Sequence, residues 1–165
     1  VGKYNEFENL RVAGVRYADM RGYSYARSDV TARALANAYS QSLGAMFTQG
    51  PKPFEVELAV AEVGGSPGQD ELYRLTFDGS IADESGFIVM GGQSDAIESR
   101  LREQWQPGLG MTDAVRLAAE LLFAGRRDPG ARAEALEVAL LDRARTRRTF
   151  RRLSRDAVSA MIEVP

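Results

Sequence analysis

Three groups of residues have types and spacings suited to chemistry. Arginines at 143, 145, 147, 148, 151, 152 and 155 form the densest charge cluster, and such a cluster can track phosphates. A solvated hairpin or a subunit contact fits them better. Strand alternation splits Arg151 from Arg152, no aromatic interleaves beyond Phe150, and acidic residues elsewhere cancel the charge. Asp78, Asp83 and Glu84 offer carboxylates for acid/base work or a cation, yet Asp-Gly turn chemistry accounts for Asp78 without a ligand, and two adjacent acids after a strand read as solvated. Gly91-Gly92-Gln93 ahead of a helix could present backbone N–H groups to an anion; the plainer reading is that the glycines permit a turn and close packing.

Composition closes several enzyme classes. The 165 residues contain no cysteine and no histidine, which removes a disulfide framework, thiolate and imidazole metal sites, and the usual neutral-pH base. Cysteine- and histidine-dependent enzyme classes are thereby closed, and no metal or cofactor is expected. A net charge of −2 argues against a general polyanion binder, and no apolar run is long enough to span a bilayer. With 44% hydrophobic residues the chain suffices for one globular domain. The first residues show no signal-peptide pattern, so the cytoplasm is the expected compartment, without membrane or nucleic-acid partners. Val1 opens the chain without an initiator methionine and runs straight into a helical pattern, as a piece of a longer chain would.

The elements that must position these groups follow from periodicity. A helix is expected over residues 5–19, with Phe7, Leu10, Gly14 and Ala18 on one face and Glu6 and Glu8 in the first turn, where the macrodipole favours anions. Asp29 is the expected N-cap of a second helix whose Val30, Ala34, Ala38, Met46 and Phe47 lie near one stripe; Gly50-Pro51 ends it. A strand follows over 54–63, Gly64 to Gly68 turn the chain, and a second strand covers 72–77. Asp78-Gly79-Ser80 leads into a short return at Ile81-Ala82, then an apolar run over 87–90. Ser94 and Thr112 are the expected caps of two helices, the first carrying Ile97, Leu101 and Trp105, the second Val115, Ala118, Leu121 and Leu122 and ending at Gly125. Trp105 at that spacing reads as core or interface rather than a binding platform, and Tyr23 and Tyr25 beside Arg21 read as a packed loop anchor. A polar linker spans 126–133. Beyond it Leu136, Val138 and Leu140 alternate as a strand, 142–148 form a loop, 149–153 return, and Ser154 caps a last helix with Val158, Met161 and Ile162. Helices in pairs around antiparallel strands give an α+β class.

The order and wording of several blocks carry more. Gly2-Lys3-Tyr4-Asn5-Glu6-Phe7, Arg21-Gly22-Tyr23-Ser24-Tyr25, Phe54-Glu55-Val56-Glu57-Leu58, Phe77 through Glu84 (FDGSIADE) and Val89-Met90-Gly91-Gly92 follow one another in a sequence that resembles the α-type subunit of the 20S proteasome, in its actinobacterial version. The resemblance implies a four-layer αββα sandwich of the N-terminal nucleophile hydrolase type, lacking its first helix and first strands here, with residues 1–165 a single N-terminally truncated domain. It implies a homo-heptameric outer ring that gates access, stacked on β-type subunits that cut peptide bonds, and an AAA ATPase activator as docking partner. Gly2 and Lys3 match positions lining the pocket for an activator's C-terminal tail. Lys3 would pair with the tail carboxylate and Gly2 would let backbone approach; a plain surface lysine is the open alternative. The β-type subunits use an N-terminal threonine as nucleophile and carry a serine between glycines where this chain reads Gly91-Gly92-Gln93, so no active site is expected. The competing reading is a β-type threonine protease subunit, or a stand-alone N-terminal nucleophile hydrolase, whose nucleophile lies upstream of Val1.

Overall fold

Tyr4–Ser24 forms helix α1, whose buried residues Glu6, Leu10 and Gly14 recur every fourth position and so line one face. The computed structural model describes residues 1–124 and 134–163. They fall into two compact units, Val1–Gly92 and Gln93–Pro165. Helix α1 outruns the expected 5–19 because nothing after Asp19 stops it. Gly22 stays helical, and the turn closes only at Tyr25, whose N–H donates to the Arg21 carbonyl at 3.1 Å.

Helix α2, Ala32–Gln49, is capped by Thr31 and not by Asp29: the Thr31 Oγ1 accepts from the Ala34 N–H at 3.2 Å. Asp29 instead ends a single 3-10 turn, Arg27–Asp29, where its carboxylate accepts from the Ala26 N–H at 3.1 Å. Extended backbone at Val30 separates the two, moving the helix start onto the second capping residue. The buried stripe is Ala32, Ala36 and Leu43, with Leu35 and Tyr39 partly buried beside it. The expected stripe through Ala34 and Ala38 is wrong, and Phe47 is 45% exposed. Alanines occur on both sides of this helix, so their spacing could not choose a face. Where α1 and α2 meet, the Tyr39 hydroxyl donates to the Leu10 carbonyl at 2.8 Å, and a Cβ on Gly14 would lie 1.8 Å from that oxygen. Only glycine allows this approach.

Strands β1 (Leu58–Glu62), β2 (Glu71–Leu75) and β3 (Ile81–Asp83) make an antiparallel sheet in that order, with Val60 opposite Tyr73 and Leu75 opposite Ile81. Val56, Val60, Tyr73 and Leu75 are buried in one cluster with Leu10, Ala32, Ala36 and Leu43. The ladder starts later than expected, since 54–57 pair instead with the start of the chain through a Gly2–Val56 bridge. Residues 87–90 join no ladder among the described residues, although Val89 is buried.

The second unit contains α3 (Ser94–Gln104), α4 (Met111–Leu122), the antiparallel pair β4 (Ala139–Leu141) and β5 (Phe150–Arg152), and α5 (Arg155–Glu163). Ser94 and Thr112 are not caps. They lie inside helices whose N-caps are Gln93 and Gly110. Ser154 does cap, its Oγ accepting from the Ala157 N–H at 3.3 Å. Ala119 and Leu121 of α4 and Val158 of α5 are buried, whereas Leu122 is 54% exposed and Ala118 is exposed too. Gly125 and the 126–133 linker lie outside the described residues.

Candidate docking site

The start of α1 is held against the chain leading into β1 by backbone bonds. The Lys3 N–H donates to the Glu55 carbonyl at 2.9 Å, and the Glu57 N–H donates to the Val1 carbonyl at 2.9 Å. Gly2, between them, has φ 129°, and a Cβ there would meet the Glu55 oxygen at 2.0 Å. Both position and contact require glycine. Lys3 is the N-cap residue of α1, and its half-exposed side chain, 49% exposed, carries an ammonium 4.0 Å from the Glu6 carboxylate.

Beneath these residues lies a group the sequence pattern did not single out for this role. Glu6 is only 6% exposed. Its Oε2 accepts from the Glu55 N–H at 2.6 Å, its Oε1 lies 2.7 Å from Lys52 Nζ, and Lys3 Nζ stands further off at 4.0 Å. The hydrogen bond from Lys52 holds the Glu6 carboxyl below its ordinary pKa, helped by the Glu55 N–H; the same contact raises the Lys52 ammonium above its own. Lys52 is further occupied by Glu55, at 3.3 Å. Of the two ammonium groups, Lys3 is therefore the one with a loose carboxylate contact and Lys52 the one engaged in structure. Lys52, Pro53, Phe54, Glu55, Val56 and Phe77 line an open, largely apolar pocket of about 420 Å³. The arrangement thus offers an exposed ammonium at Lys3 and, beside Lys52, an apolar hollow, while the close approach at Gly2 is taken by the chain's own Glu55 carbonyl.

Glu6 was legible only as a helix-dipole residue. Its partners Lys52 and Glu55 are 46 and 49 positions away, and no short-range spacing links them.

The other sequence candidates sit elsewhere. Asp78 accepts from the Thr76 hydroxyl at 2.6 Å, the Ser80 N–H at 3.0 Å and the Ser80 hydroxyl at 2.9 Å, so turn chemistry accounts for it and depresses its pKa, the Thr76 bond most strongly. Asp83 faces Arg33 at 4.0 Å. Gly91-Gly92-Gln93 leads into α3, with Gln93 making no side-chain cap. Trp105 is half-buried at the end of that helix. Tyr23 and Tyr25 are 93% and 76% exposed, so the packed anchor is not what the chain builds. Arg21 instead donates to the Asp29 carbonyl at 2.8 Å and lies over the Tyr25 ring. Among the described residues no group of three or more acidic, histidine or cysteine side chains is placed to hold a metal ion.

Comparison with known proteins bears directly on this geometry. The family model described as "Proteasome subunit" matches residues 1–141. "Proteasome subunit alpha" of Kineococcus radiotolerans is 60% identical over 169 residues, covering 98% of this chain and 71% of that protein. The protein of the same name from an Arthrobacter species is also 60% identical, over 98% of this chain and 71% of its own length, and that of Sanguibacter keddieii is 54% identical over 100% and 66%.

Proposed function

The chain belongs to the proteasome subunit family and is of the alpha, non-catalytic type, and from that premise we propose that it builds the outer ring of a 20S core particle and controls access to it. Its mixed helix and strand content fits an α+β fold of the N-terminal nucleophile hydrolase type. The full four-layer sandwich, with both units in one α-type domain, is the arrangement we propose; a family match that runs through both units supports it.

The partners in this reading are further α-type copies in a homo-heptameric ring, β-type subunits that cut peptide bonds, and an AAA ATPase activator. The activator's C-terminal tail docks at Gly2 and Lys3. The observation that carries the docking step is the contrast in charge engagement: Glu6 takes up Lys52 at 2.7 Å and leaves Lys3 at 4.0 Å and half exposed. A tail carboxylate pairs with Lys3 and its apolar side chains enter the pocket. The proposed compartment is the cytoplasm, in accord with the lack of cysteine. No helix of the described residues is long and apolar enough to cross a membrane.

The test is native mass and peptidase activity, for the chain alone and with its β-type partner. A ring-sized species that becomes a proteolytic barrel only with the partner supports the reading; a monomer indifferent to the partner overturns it. Docking is tested separately with a peptide ending in a free carboxylate and the same peptide amidated. Lys3→Ala should abolish the preference for the carboxylate form while leaving the melting temperature unchanged.

A further inference from the structure

The side-chain amines of this chain are gathered at one place. Of its 21 cationic side chains 19 are arginines, whose guanidinium stays protonated and takes no acyl group. The two lysines, Lys3 and Lys52, are distant in sequence and flank the same buried carboxylate, Glu6.

Accessibility does not tell these lysines apart, since their side chains are 49% and 48% exposed. Engagement does. Lys52 Nζ lies 2.7 Å from Glu6 Oε1 and donates to Glu55 Oε1 and to the Pro53 carbonyl, both at 3.3 Å. Three acceptors surround its three N–H donors, and the Glu6 contact favours the protonated form, which has no lone pair for attack. Lys3 Nζ stands 4.0 Å from Glu6, beyond hydrogen-bonding distance, and has no second carboxylate within ion-pair distance among the described residues.

The consequences of modification divide in the same way. An acyl group on Lys52 takes from the buried Glu6 its nearest cation and leaves only Lys3, at 4.0 Å, which unsettles the fold. An acyl group on Lys3 leaves the Lys52–Glu6 pair and the bond from the Glu55 N–H in place. It removes one positive charge from a site where two ammonium groups balance Glu6 and Glu55, so the site becomes net negative.

We propose that Lys3 is an acyl-acceptor site, modified by a small acyl phosphate, and that its acylation switches off docking of a carboxylate-ended peptide. The proposal rests on the docking reading above. The Lys3 ammonium first loses a proton to water, and the neutral amine attacks the acyl carbonyl carbon. The C–N bond forms as the bond from that carbon to the phosphate oxygen breaks; phosphate leaves with the bonding pair, and a second amine proton passes to water. A donor small enough to reach a half-exposed amine from solvent needs no pocket of its own. The resulting amide has no charge to pair with a carboxylate, and the net negative site repels one.

The test treats the intact protein with acetyl phosphate and assigns each acetyl group by peptide mass mapping. Binding of a peptide ending in a free carboxylate is compared with that of its amidated form, alongside melting temperatures. Lys3 should be acetylated ahead of Lys52, and the carboxylate preference should fall in step with Lys3 acetylation while the melting temperature stays unchanged. Lys3→Arg, which keeps the charge and accepts no acyl group, should retain the preference and lose its sensitivity to the reagent; Lys3→Gln should lose the preference without any reagent. Lys52 acetylated as fast as Lys3, or a preference that survives complete Lys3 acetylation, overturns the inference and leaves docking standing. An untreated protein with no preference for the carboxylate form overturns docking at Lys3 and this inference with it.

Discussion

The two units of this chain spend their side chains differently. In Val1–Gly92 eight buried apolar residues from two helices and two strand segments form one cluster, and the one buried charge, Glu6, is met by a backbone N–H and an ammonium group. In Gln93–Pro165 the buried apolar residues among those described are Ala119, Leu121 and Val158, while Met111, Leu122, Leu141 and Phe150 are substantially exposed. The first unit thus holds the larger buried cluster, although Tyr23, Tyr25, Phe47 and Phe77 are exposed on it. The second has fewer buried apolar side chains among the described residues and no cluster of comparable size. If burial sets the cost, substitutions at buried positions of either unit should destabilise it, most of all in the larger cluster of the first, and those at exposed positions should not.

The largest expected effect is at Leu43, fully buried between α2 and the sheet. Leu43→Ala should destabilise the chain by about 2–5 kcal/mol, the range for deleting a packed leucine side chain, read as a shift of the denaturation midpoint. A loss below about 1 kcal/mol would show that the first unit's core is loose, and would erase the contrast. Next comes Gly2→Ala. At φ 129° with the Glu55 oxygen in the way, alanine forces the chain start off its Val56 bridge, at a cost of about 1–3 kcal/mol. The same variant should weaken binding of a carboxylate-ended peptide, which separates it from an ordinary core defect.

The parts of this architecture that were legible in sequence are those where one residue's chemistry admits a single solution. Asp78 with Thr76 and Ser80 builds its turn from side chains two positions apart, and Ser154 finds the Ala157 N–H at the spacing a cap requires. What was misread had two local solutions of similar worth. Asp29 and Thr31 are both good caps, and the helix took the second because Glu62, thirty positions on, accepts from the Ala32 N–H at 2.6 Å and favours a start there. Alanine on opposite sides of α2 left its buried face undetermined until the sheet covered Ala32 and Ala36. At the proposed docking site, Gly2 and Lys3 were named from the resemblance alone. Glu6, which decides how their neighbour Lys52 is used, is set by contacts between segments nearly fifty residues apart, beyond any periodicity.

A smaller effect, with a characteristic pH dependence, is expected at Glu6. Its folded pKa lies below the ordinary carboxylate value of about 4.3, so its contribution to stability is fully present above that value and fades as pH falls through the lower, folded one. Glu6→Gln should accordingly lower the melting temperature at neutral pH, with the gap to wild type narrowing below about pH 4. Asp78 titrates in the same direction in both proteins, so it cancels in the difference. A gap that stays constant with pH would mean that Glu6 acts through its shape and not its charge.

The smallest effect is expected on the outer side of α4, and it is the most direct way to break the comparison. Met111, Val115, Ala118 and Leu122 line an open apolar groove of about 370 Å³ with Leu136 and Leu140, and Leu122 is 54% exposed where Leu121, its neighbour in sequence, is 3% exposed. In the isolated chain Leu122→Ser removes little buried area, so stability should stay within about 0.5 kcal/mol of wild type. Leu121→Ala, one position away, truncates a buried side chain and should cost about 2 kcal/mol or more. Measuring the pair side by side holds helix, position and method constant and varies only burial. Equal losses would mean that Leu122 is covered as fully as Leu121, so that the second unit is as self-contained as the first; a difference of the expected size leaves that face uncovered in the chain by itself.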